Sequence, residues 1–242
     1  MKSDPTGITL VVDRGGTPPQ GRKISAEEAE RLLLERLKSR ESDFLDVHWE
    51  LACFYSKTGR QELAQTCLER YVANTNGPEK RAGCYLALGQ LMEQMRDFES
   101  AIFFYSRAFA IEPENNGTWY LIHNNLGFCL NHFGRYSEVE GYCQNAIKID
   151  PSRSNAFKNL GVSLAGQGDY ARAAGSFIAA TKANAADGRA LKLLERLLAE
   201  HPEVETKMPD IEEQIQGCRR AVTAVAEIRR QTQRENSTEN RK

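Results

Sequence analysis

The sequence lacks long apolar runs, and this absence bounds where we expect the chain to work. None of its apolar stretches approaches the ~20 residues that a bilayer-spanning helix needs. Near the N-terminus, Ile8–Val12 is shorter than the apolar core of roughly 7–15 residues that a signal peptide contains. We therefore expect a cytoplasmic protein without a membrane partner.

A dominant charge is also missing, because 32 Lys and Arg residues face 33 Asp and Glu residues and leave a net charge of -1. No global field favours nucleic acid, so we expect no nucleic-acid partner. Signatures of hydrolases and nucleotide-binding enzymes, such as Gly-x-Ser-x-Gly, His-Glu-x-x-His and the Walker phosphate loop, are absent as well. The sequence therefore predicts no enzymatic activity.

Cysteines are present, but not in the spacing of a metal or redox site. None forms Cys-x-x-Cys, and no histidine stands at metal-ligand spacing from them. In a reducing compartment such residues most often fill small apolar gaps between helices, so we expect no metal and no cofactor. The six are Cys53, Cys67, Cys84, Cys129, Cys143 and Cys218.

What the sequence does contain is an internal repeat. Asn125–Gly127 and Gly134–Tyr136 recur 34 residues later as Asn159–Gly161 and Gly168–Tyr170. An interval of 34 residues is the period of a helix–turn–helix repeat of tetratricopeptide type. The pattern predicts four repeats, at 45–78 (degenerate), 82–115, 120–153 and 154–187.

Small residues recur within these repeats for a mechanical reason. Gly89, Gly127 and Gly161 hold one position on the first helix of their repeats. Glycine in a helix costs about 1 kcal/mol relative to alanine, so its recurrence predicts close packing against the paired helix. Gly134 and Gly168 are placed to end first helices, where φ must be positive.

The flanking segments complete the predicted domain organisation. Residues 1–23 are rich in Gly and Pro and read as a flexible tail. A helix follows over 24–44, opened by a capping box of Ser25 and Glu28. We expect capping helices over 188–234 and a frayed tail over 235–242.

Residues 45–187 resemble a protein of the tetratricopeptide repeat (TPR) family. The resemblance implies an all-α fold, a right-handed α-solenoid of antiparallel helix pairs with an N-terminal helix and C-terminal capping helices. It further implies a non-catalytic adaptor or scaffold that binds a partner protein or peptide segment on the concave face, which the first helices line.

The resemblance also places candidate residues on that face. They are Trp49, Leu86, Gln90, Leu121, Asn124, Asn125, Phe128, Asn155, Lys158 and Asn159. Amides can donate to and accept from an extended backbone, so Asn125 and Asn159 could bind a peptide. Local bonds within the repeats explain the same two residues equally well.

Some TPR modules of chaperone type clamp a C-terminal carboxylate with Lys and Arg. The family pattern aligns those positions with Leu86, Gln90, Asn125, Asn155 and Asn159, of which only Asn125 fits. A register one repeat later also fits poorly. We therefore do not expect capture of a free C-terminus.

The last helix leaves a second functional alternative open. Its apolar residues, at intervals of 3 and 4, form one stripe. The stripe indicates a final capping helix, or a helix at 209–234 through which a regulatory or assembly protein forms a homodimer or covers its own groove. The residues are Ile211, Ile215, Cys218, Val222, Val225 and Ile228.

Overall fold

The computed structural model describes residues 8–10, 22–38 and 44–239, with side chains described over 25–38 and 44–236. The chain divides into two compact units, Met1–Phe104 and Tyr105–Lys242. Most of the predicted tail at 1–23 and the whole of 39–43 and 240–242 lie outside the described residues. The flexibility expected of the tail stays a prediction.

The first unit begins with two short strands that pair antiparallel, with Ile8 opposite Ile24 and Leu10 opposite Arg22. Ser25 Oγ then accepts a hydrogen bond from the Glu28 N–H at 3.2 Å, which is the predicted N-terminal cap. The elements are β1 (Ile8–Leu10), β2 (Arg22–Ile24), α1 (Ala26–Lys38), α2 (Phe44–Lys57), α3 (Gln61–Asn74), α4 (Pro78–Gln94) and the first half of α5 (Phe98–Phe109).

Helix α1 is fixed against α2 by one buried face and by an ion pair between Arg36 and Glu50, and a second ion pair joins it to Arg60 in the turn before α3. Ala29 and Leu33 are buried. Arg60 Nη1 donates to both carboxylate oxygens of Glu30, at 2.9 and 2.8 Å, and the Tyr55 hydroxyl donates to the same carboxylate at 3.1 Å. Burial and this hydrogen bond raise the pKa of Tyr55 to about 12. The N-terminal helix thereby covers the first helix pair.

The second unit consists of consecutive antiparallel helices. The two helices of each pair, α6 with α7 and α8 with α9, pack on each other, and α7 packs on α8. The elements after α5 are α6 (Asn116–His132), α7 (Tyr136–Ile149), α8 (Ser154–Gly166), α9 (Tyr170–Ala183), α10 (Arg189–Glu200), α11 (Glu203–Lys207) and α12 (Ile211–Glu239).

One turn geometry joins the two helices of every repeat. In the third repeat, the Gly134 N–H donates to the Asn131 carbonyl and the Arg135 N–H to the Leu130 carbonyl, both at 3.1 Å. This pair of bonds is the Schellman motif, whose pivot residue takes a left-handed conformation. Its recurrence confirms, within each unit, the predicted all-α fold of antiparallel helix pairs. The pivots are Gly59 (φ 77°), Arg96 (φ 62°), Gly134 (φ 68°) and Gly168 (φ 81°).

Two of the recurring glycines, Gly127 and Gly161, lie where the helices of a pair are in close contact. A Cβ at Gly161 would come within 2.5 Å of the Phe177 ring, and one at Gly127 within 2.9 Å of Cys143 Sγ. Both distances are too short for a real contact. The close packing inferred from the sequence is therefore present in both repeats.

Two helix boundaries and one short helix differ from the sequence expectation. Pro78 opens α4 instead of ending the preceding repeat, because a proline at the first helical position needs no N–H partner. Asn115 Oδ1 accepts from the Thr118 N–H at 2.9 Å, so Asn115 caps α6 and Gly117 lies inside its first turn. The short helix α11 was not anticipated.

Helix α12 seals the end of the second unit with its first half. Ile211, Ile215 and Cys218 are buried, and the helix packs against α9 and α10. Farther along, Arg229 Nη1 still donates to the Ala186 carbonyl at 3.2 Å, whereas Ile228 is 61% exposed. The helix continues to Glu239, beyond the predicted end of the capping segment.

Candidate functional site

The first helices of the second unit carry matching stripes of residues at spacings of three and four. Residues at this spacing lie on one face of a helix. We call the three stripes together the first-helix face. It consists of Leu121, Asn124 and Phe128 on α6, Asn155, Lys158 and Val162 on α8, and Arg189, Lys192 and Arg196 on α10.

The predicted amide row, which includes Asn124 of this face, forms a buried hydrogen-bond network. Asn124 Nδ2 donates to Asn125 Oδ1 at 2.9 Å, and Asn125 Nδ2 donates to the Tyr105 hydroxyl at 3.1 Å. Asn159 Nδ2 donates to Asn124 Oδ1 at 3.1 Å, and Asn131 Nδ2 donates to the Asn159 carbonyl at 2.8 Å. The network joins α5, α6 and α8. Its bonds are those of the second alternative for Asn125 and Asn159, in which the amides bond locally within the repeats.

Burial decides which members of the predicted site a partner could reach in this state. The side chains of Asn124, Asn125 and Asn159 belong to residues that are 7%, 8% and 5% exposed. Phe128 is 41% exposed on the same helix as the first two. Leu121 is half-buried against the core residues Tyr120, Ala146 and Ala156. An exposed aromatic ring thus stands above a layer of satisfied amides.

Charge enters the face on α8 and α10. Lys158 Nζ donates to Asn155 Oδ1 at 3.2 Å and lies 3.5 Å from Asp187 Oδ2. Arg189 binds both oxygens of Asp187, each at 2.7 Å. The hydrogen bonds from Arg189 hold the pKa of Asp187 well below its usual range. Burial and the charge of Arg189 lower the pKa of Lys158.

The predicted residues of the first unit form a separate set. Trp49 on α2 is 36% exposed, and its ring lies 5.4 Å from that of Tyr71. On α4, Leu86 is buried in the core and Gln90 is half-buried. Trp49 is therefore the most accessible of the three candidates in this unit.

Sequence reasoning missed the basic part of the first-helix face. The pattern of a terminal-carboxylate clamp, aligned one repeat later, reaches Arg189 with a poor fit, and the motifs above do not include Asp187, Lys192 or Arg196. The signal that could have found them is the helix itself. Its leucines Leu191 and Leu194 point to the core, which leaves the basic residues at intervals of three and four for the opposite side.

A second polar group is buried among aromatic rings in the same unit. His123 is 2% exposed, and its ring lies 4.6 Å from Trp119, 5.4 Å from Phe109 and 5.9 Å from Tyr142. Among the described residues, Nδ1 of His123 finds no hydrogen-bond partner. Burial lowers the pKa of His123, so the imidazole is held neutral.

Over 25–38 and 44–236, no three His, Cys, Asp or Glu side chains come together in a way that could hold a metal ion. None of the helices in the described part of the chain combines the length and the apolar composition that crossing a membrane requires.

Comparison with known sequences supports the repeat assignment. A sequence profile of the tetratricopeptide repeat matches residues 45–74 and 82–115. Curated protein sequences gave no significant match. The matched residues include the repeat that looked degenerate from the sequence.

Solved structures of MamA share the fold. An ArsTM double mutant of MamA RS-1 aligns with a TM-score of 0.59 and 14% identity, over 74% of this chain and 97% of that one. MamA from residue 41 to the end, from Desulfovibrio magneticus RS-1, aligns with a TM-score of 0.58 and 14% identity, over 78% of this chain and 97% of that one. A further MamA crystal structure aligns with a TM-score of 0.55 and 21% identity, over 65% of this chain and 88% of that one. At these identities the likeness concerns the fold alone.

Proposed function

This chain is a tetratricopeptide-repeat protein, and we propose on that premise that it is a non-catalytic adaptor that binds a segment of a partner protein. We place the binding site on the first-helix face of the second unit. TPR proteins bind protein partners, and this face combines an exposed aromatic ring with charged and amide groups. We further propose that the protein works in the cytoplasm.

The exposure of Phe128 is the observation that carries the proposal. At 41% exposure, a phenylalanine leaves much apolar surface in water, and its burial by a partner would release about 25 cal/mol for each Å² covered. Aromatic anchors of this kind commonly dominate the binding energy of an interface. Phe128 lies on the side of α6 where the resemblance places partner contacts.

The amides of Asn125 and Asn159 take a supporting role in this proposal. Each already makes hydrogen bonds inside the protein, and a partner backbone would have to exchange those bonds for its own. A hydrogen bond is worth only about 0.5–1.5 kcal/mol net, so an exchange yields little affinity. We therefore assign the direct contacts to Phe128, Asn155 and Lys158, with the buried amides fixing the positions of α6 and α8.

Capture of partners by the full chain tests this function. Proteins retained from a native cell extract are identified by mass spectrometry for the wild type, Phe128→Ala and Phe103→Ala. Phe103 is the matched control, since it is 54% exposed but lies on α5, a second helix. We expect at least one protein that Phe128→Ala loses and Phe103→Ala retains. Identical sets for both variants would move the site off this face.

Self-association through α12 is a second candidate function, favoured by the 61% exposure of Ile228 on a helix that runs past its own packing partners. Light scattering of the wild type and of Ile228→Asp tests it, with Thr223→Asp as a control on another exposed side of α12. Deleting 205–242 is less informative, because it also strips Ile211 and Ile215 from the core. A monomeric wild type rejects this candidate.

A further inference from the structure

We propose that the segment bound by the first-helix face is acidic, and that its carboxylate side chains dock against Lys158 on α8 and against Arg189 and Lys192 on α10. The inference rests on the proposed function and names the chemistry of the partner. It concerns side-chain carboxylates within a segment, as distinct from a free C-terminus.

The arrangement of charges around Asp187 carries the inference. Lys158 Nζ lies 3.5 Å from Asp187 Oδ2, and this same oxygen accepts from Arg189 Nη2 at 2.7 Å. One carboxylate thus faces two cations, which leaves an excess of positive charge. The Lys158 side chain is only 15% exposed, so water and salt screen its charge less than that of a surface lysine.

A second carboxylate at this position would relieve the excess. Burial and the neighbouring guanidinium of Arg189 both disfavour the charged form of Lys158, which lowers its pKa. An added anion acts in the opposite direction and stabilises the charged ammonium. Arg189, whose side chain is 71% exposed, can reach the same anion from the solvent side.

The basic stripe continues along α10 and sets the spacing of the acidic residues. Arg189, Lys192 and Arg196 are exposed and follow one side of the helix. Glu200 lies 3.9 Å from Arg196 and offsets part of its charge, so the strongest attraction is at the Arg189 end. From residue 189 to residue 196 the helix rises about 10 Å. A segment in the polyproline II conformation rises about 3.1 Å per residue and completes one turn in three residues, so two carboxylates three residues apart lie on one side of it, about 9 Å from each other.

The composition of the face also orients the segment. Phe128 and Leu121 make the α6 stripe apolar, Asn155, Lys158 and Val162 make the α8 stripe mixed, and the α10 stripe is basic. Helix α6 packs on α8, and the ion pairs of Asp187 link α8 to the start of α10. The segment therefore carries an apolar anchor at one end and acidic residues at the other.

Synthetic peptides test the inference on the full chain. Each fluorescent twelve-residue peptide has an acetylated N-terminus, an amidated C-terminus, one Phe anchor and a Glu-x-x-Glu element placed either before or after the anchor. The matched probes carry Gln-x-x-Gln instead. Fluorescence anisotropy at low and high salt gives the affinities. We expect one Glu peptide to bind at least tenfold tighter than its Gln counterpart, with a preference that shrinks in high salt.

Variants then locate the contact. Lys158→Met keeps most of the side-chain length without the charge, and Lys192→Gln is a second variant at an exposed position that does not contribute to the core. Arg220→Gln is the charge-matched control, because Arg220 is exposed on α12, a helix that carries none of the three stripes. We expect Lys158→Met and Lys192→Gln each to reduce the Glu preference severalfold and Arg220→Gln to leave it unchanged. Circular dichroism checks that each variant retains its helicity.

The outcomes separate this inference from the proposed function. Equal affinities of Glu and Gln peptides, both weakened by Phe128→Ala, would overturn the acidic partner and keep the binding face. A Glu preference that Arg220→Gln reduces as much as Lys158→Met would overturn it as well, since the attraction would then be nonspecific. Tight binding of all peptides regardless of Phe128→Ala would reject the face itself.

Discussion

At the scale of single residues, the glycines show how local cost and packing are connected. Gly161 faces the ring of Phe177, where even one added carbon would lie at 2.5 Å. Gly175, in contrast, is a helical glycine whose added Cβ would meet nothing within 4 Å. Substitution of Gly161 therefore tests the effect of close packing, whereas substitution of Gly175 tests only the lower helix propensity of glycine.

This contrast gives the first prediction. Gly161→Ala should lower the free energy of unfolding by about 1–3 kcal/mol through overpacking. Gly175→Ala should raise it by about 0.5–1 kcal/mol, because alanine restricts the unfolded chain and favours the helix. Urea denaturation measures both. Equal and small effects in the two variants would mean that α8 and α9 do not approach as closely as described.

His123 gives a prediction about pH. Burial holds its pKa below the ordinary value near 6.5, so the folded protein keeps the imidazole neutral while the unfolded chain takes up a proton below that pH. Stability is therefore complete above about pH 6.5 and falls as the pH drops toward the lower folded pKa. His123→Phe should show a smaller loss of thermal midpoint between pH 7.5 and pH 5.5 than the wild type.

The control for this pH effect is His132→Gln, which alters an exposed histidine on the same helix. We expect it to keep the wild-type dependence on pH. If His123→Phe and the wild type lose stability in parallel on acidification, the acid sensitivity arises from other groups.

The residue scale also shows where the sequence was informative. The collisions at Gly127 and Gly161 could be predicted, because a glycine that recurs against its helix penalty indicates contact. The state of Asn125 and Asn159 could not. Their position within the repeat is compatible with exposure to a bound peptide and also with burial beneath the surface of the groove. Only the positions of Tyr105 and Asn124 show that the amides are buried and bonded internally.

At the scale of elements, the turn between paired helices was predictable wherever its pivot is glycine. Gly134 and Gly168 indicated a left-handed turn, and the Schellman bonds follow. Arg96 occupies the same place with φ 62°, although a left-handed conformation is unfavourable for a residue with a Cβ. The surrounding helices α4 and α5 impose the turn on a residue that does not favour it.

Relief of this strain is the third prediction. Arg96→Gly should stabilise the protein by about 0.5–1 kcal/mol relative to Arg96→Ala. Glycine avoids the energetic cost of a left-handed conformation, and this gain exceeds the extra conformational entropy that glycine loses on folding. Gly168→Ala is the reciprocal test, because its Cβ would meet nothing within 4 Å and only the backbone conformation matters. That variant should lose about 1–2 kcal/mol. Thermal unfolding that ranks Arg96→Ala above Arg96→Gly would contradict the assignment.

Helix starts were harder to predict than helix turns. Pro78 and Asn115 carry signals that serve equally to end one element or to begin the next. Pro78 follows Gly77, and Asn115 stands two residues before Gly117, and a glycine at either place favours a break in the helix. In the structure, α4 and α6 instead extend by about one turn toward their N-termini.

At the scale of the whole molecule, a stack of helix pairs leaves an apolar surface at its last pair that something must cover. Helix α12 supplies this cover with Ile211, Ile215 and Cys218. The stripe predicted from the sequence runs on to Ile228, but the burial does not: Ile228 is 61% exposed, although its neighbour Arg229 still donates to the Ala186 carbonyl. A stripe in a sequence shows which residues share a face and not how much of that face finds a partner.

The last prediction follows from this division of α12 into a packed half and an exposed half. Ile215→Ala should lower the free energy of unfolding by about 2–4 kcal/mol, as expected for a buried side chain truncated to a cavity. Removing residues 231–242 should change it by less than about 0.5 kcal/mol, because the described side chains from 231 to 236 are exposed. Ile228→Ala, the matched aliphatic control, should behave like the truncation. Urea denaturation at two protein concentrations measures all three changes. A large effect of the truncation that grows with protein concentration would show that the exposed half is buried against a second copy, and would favour self-association over a simple cap.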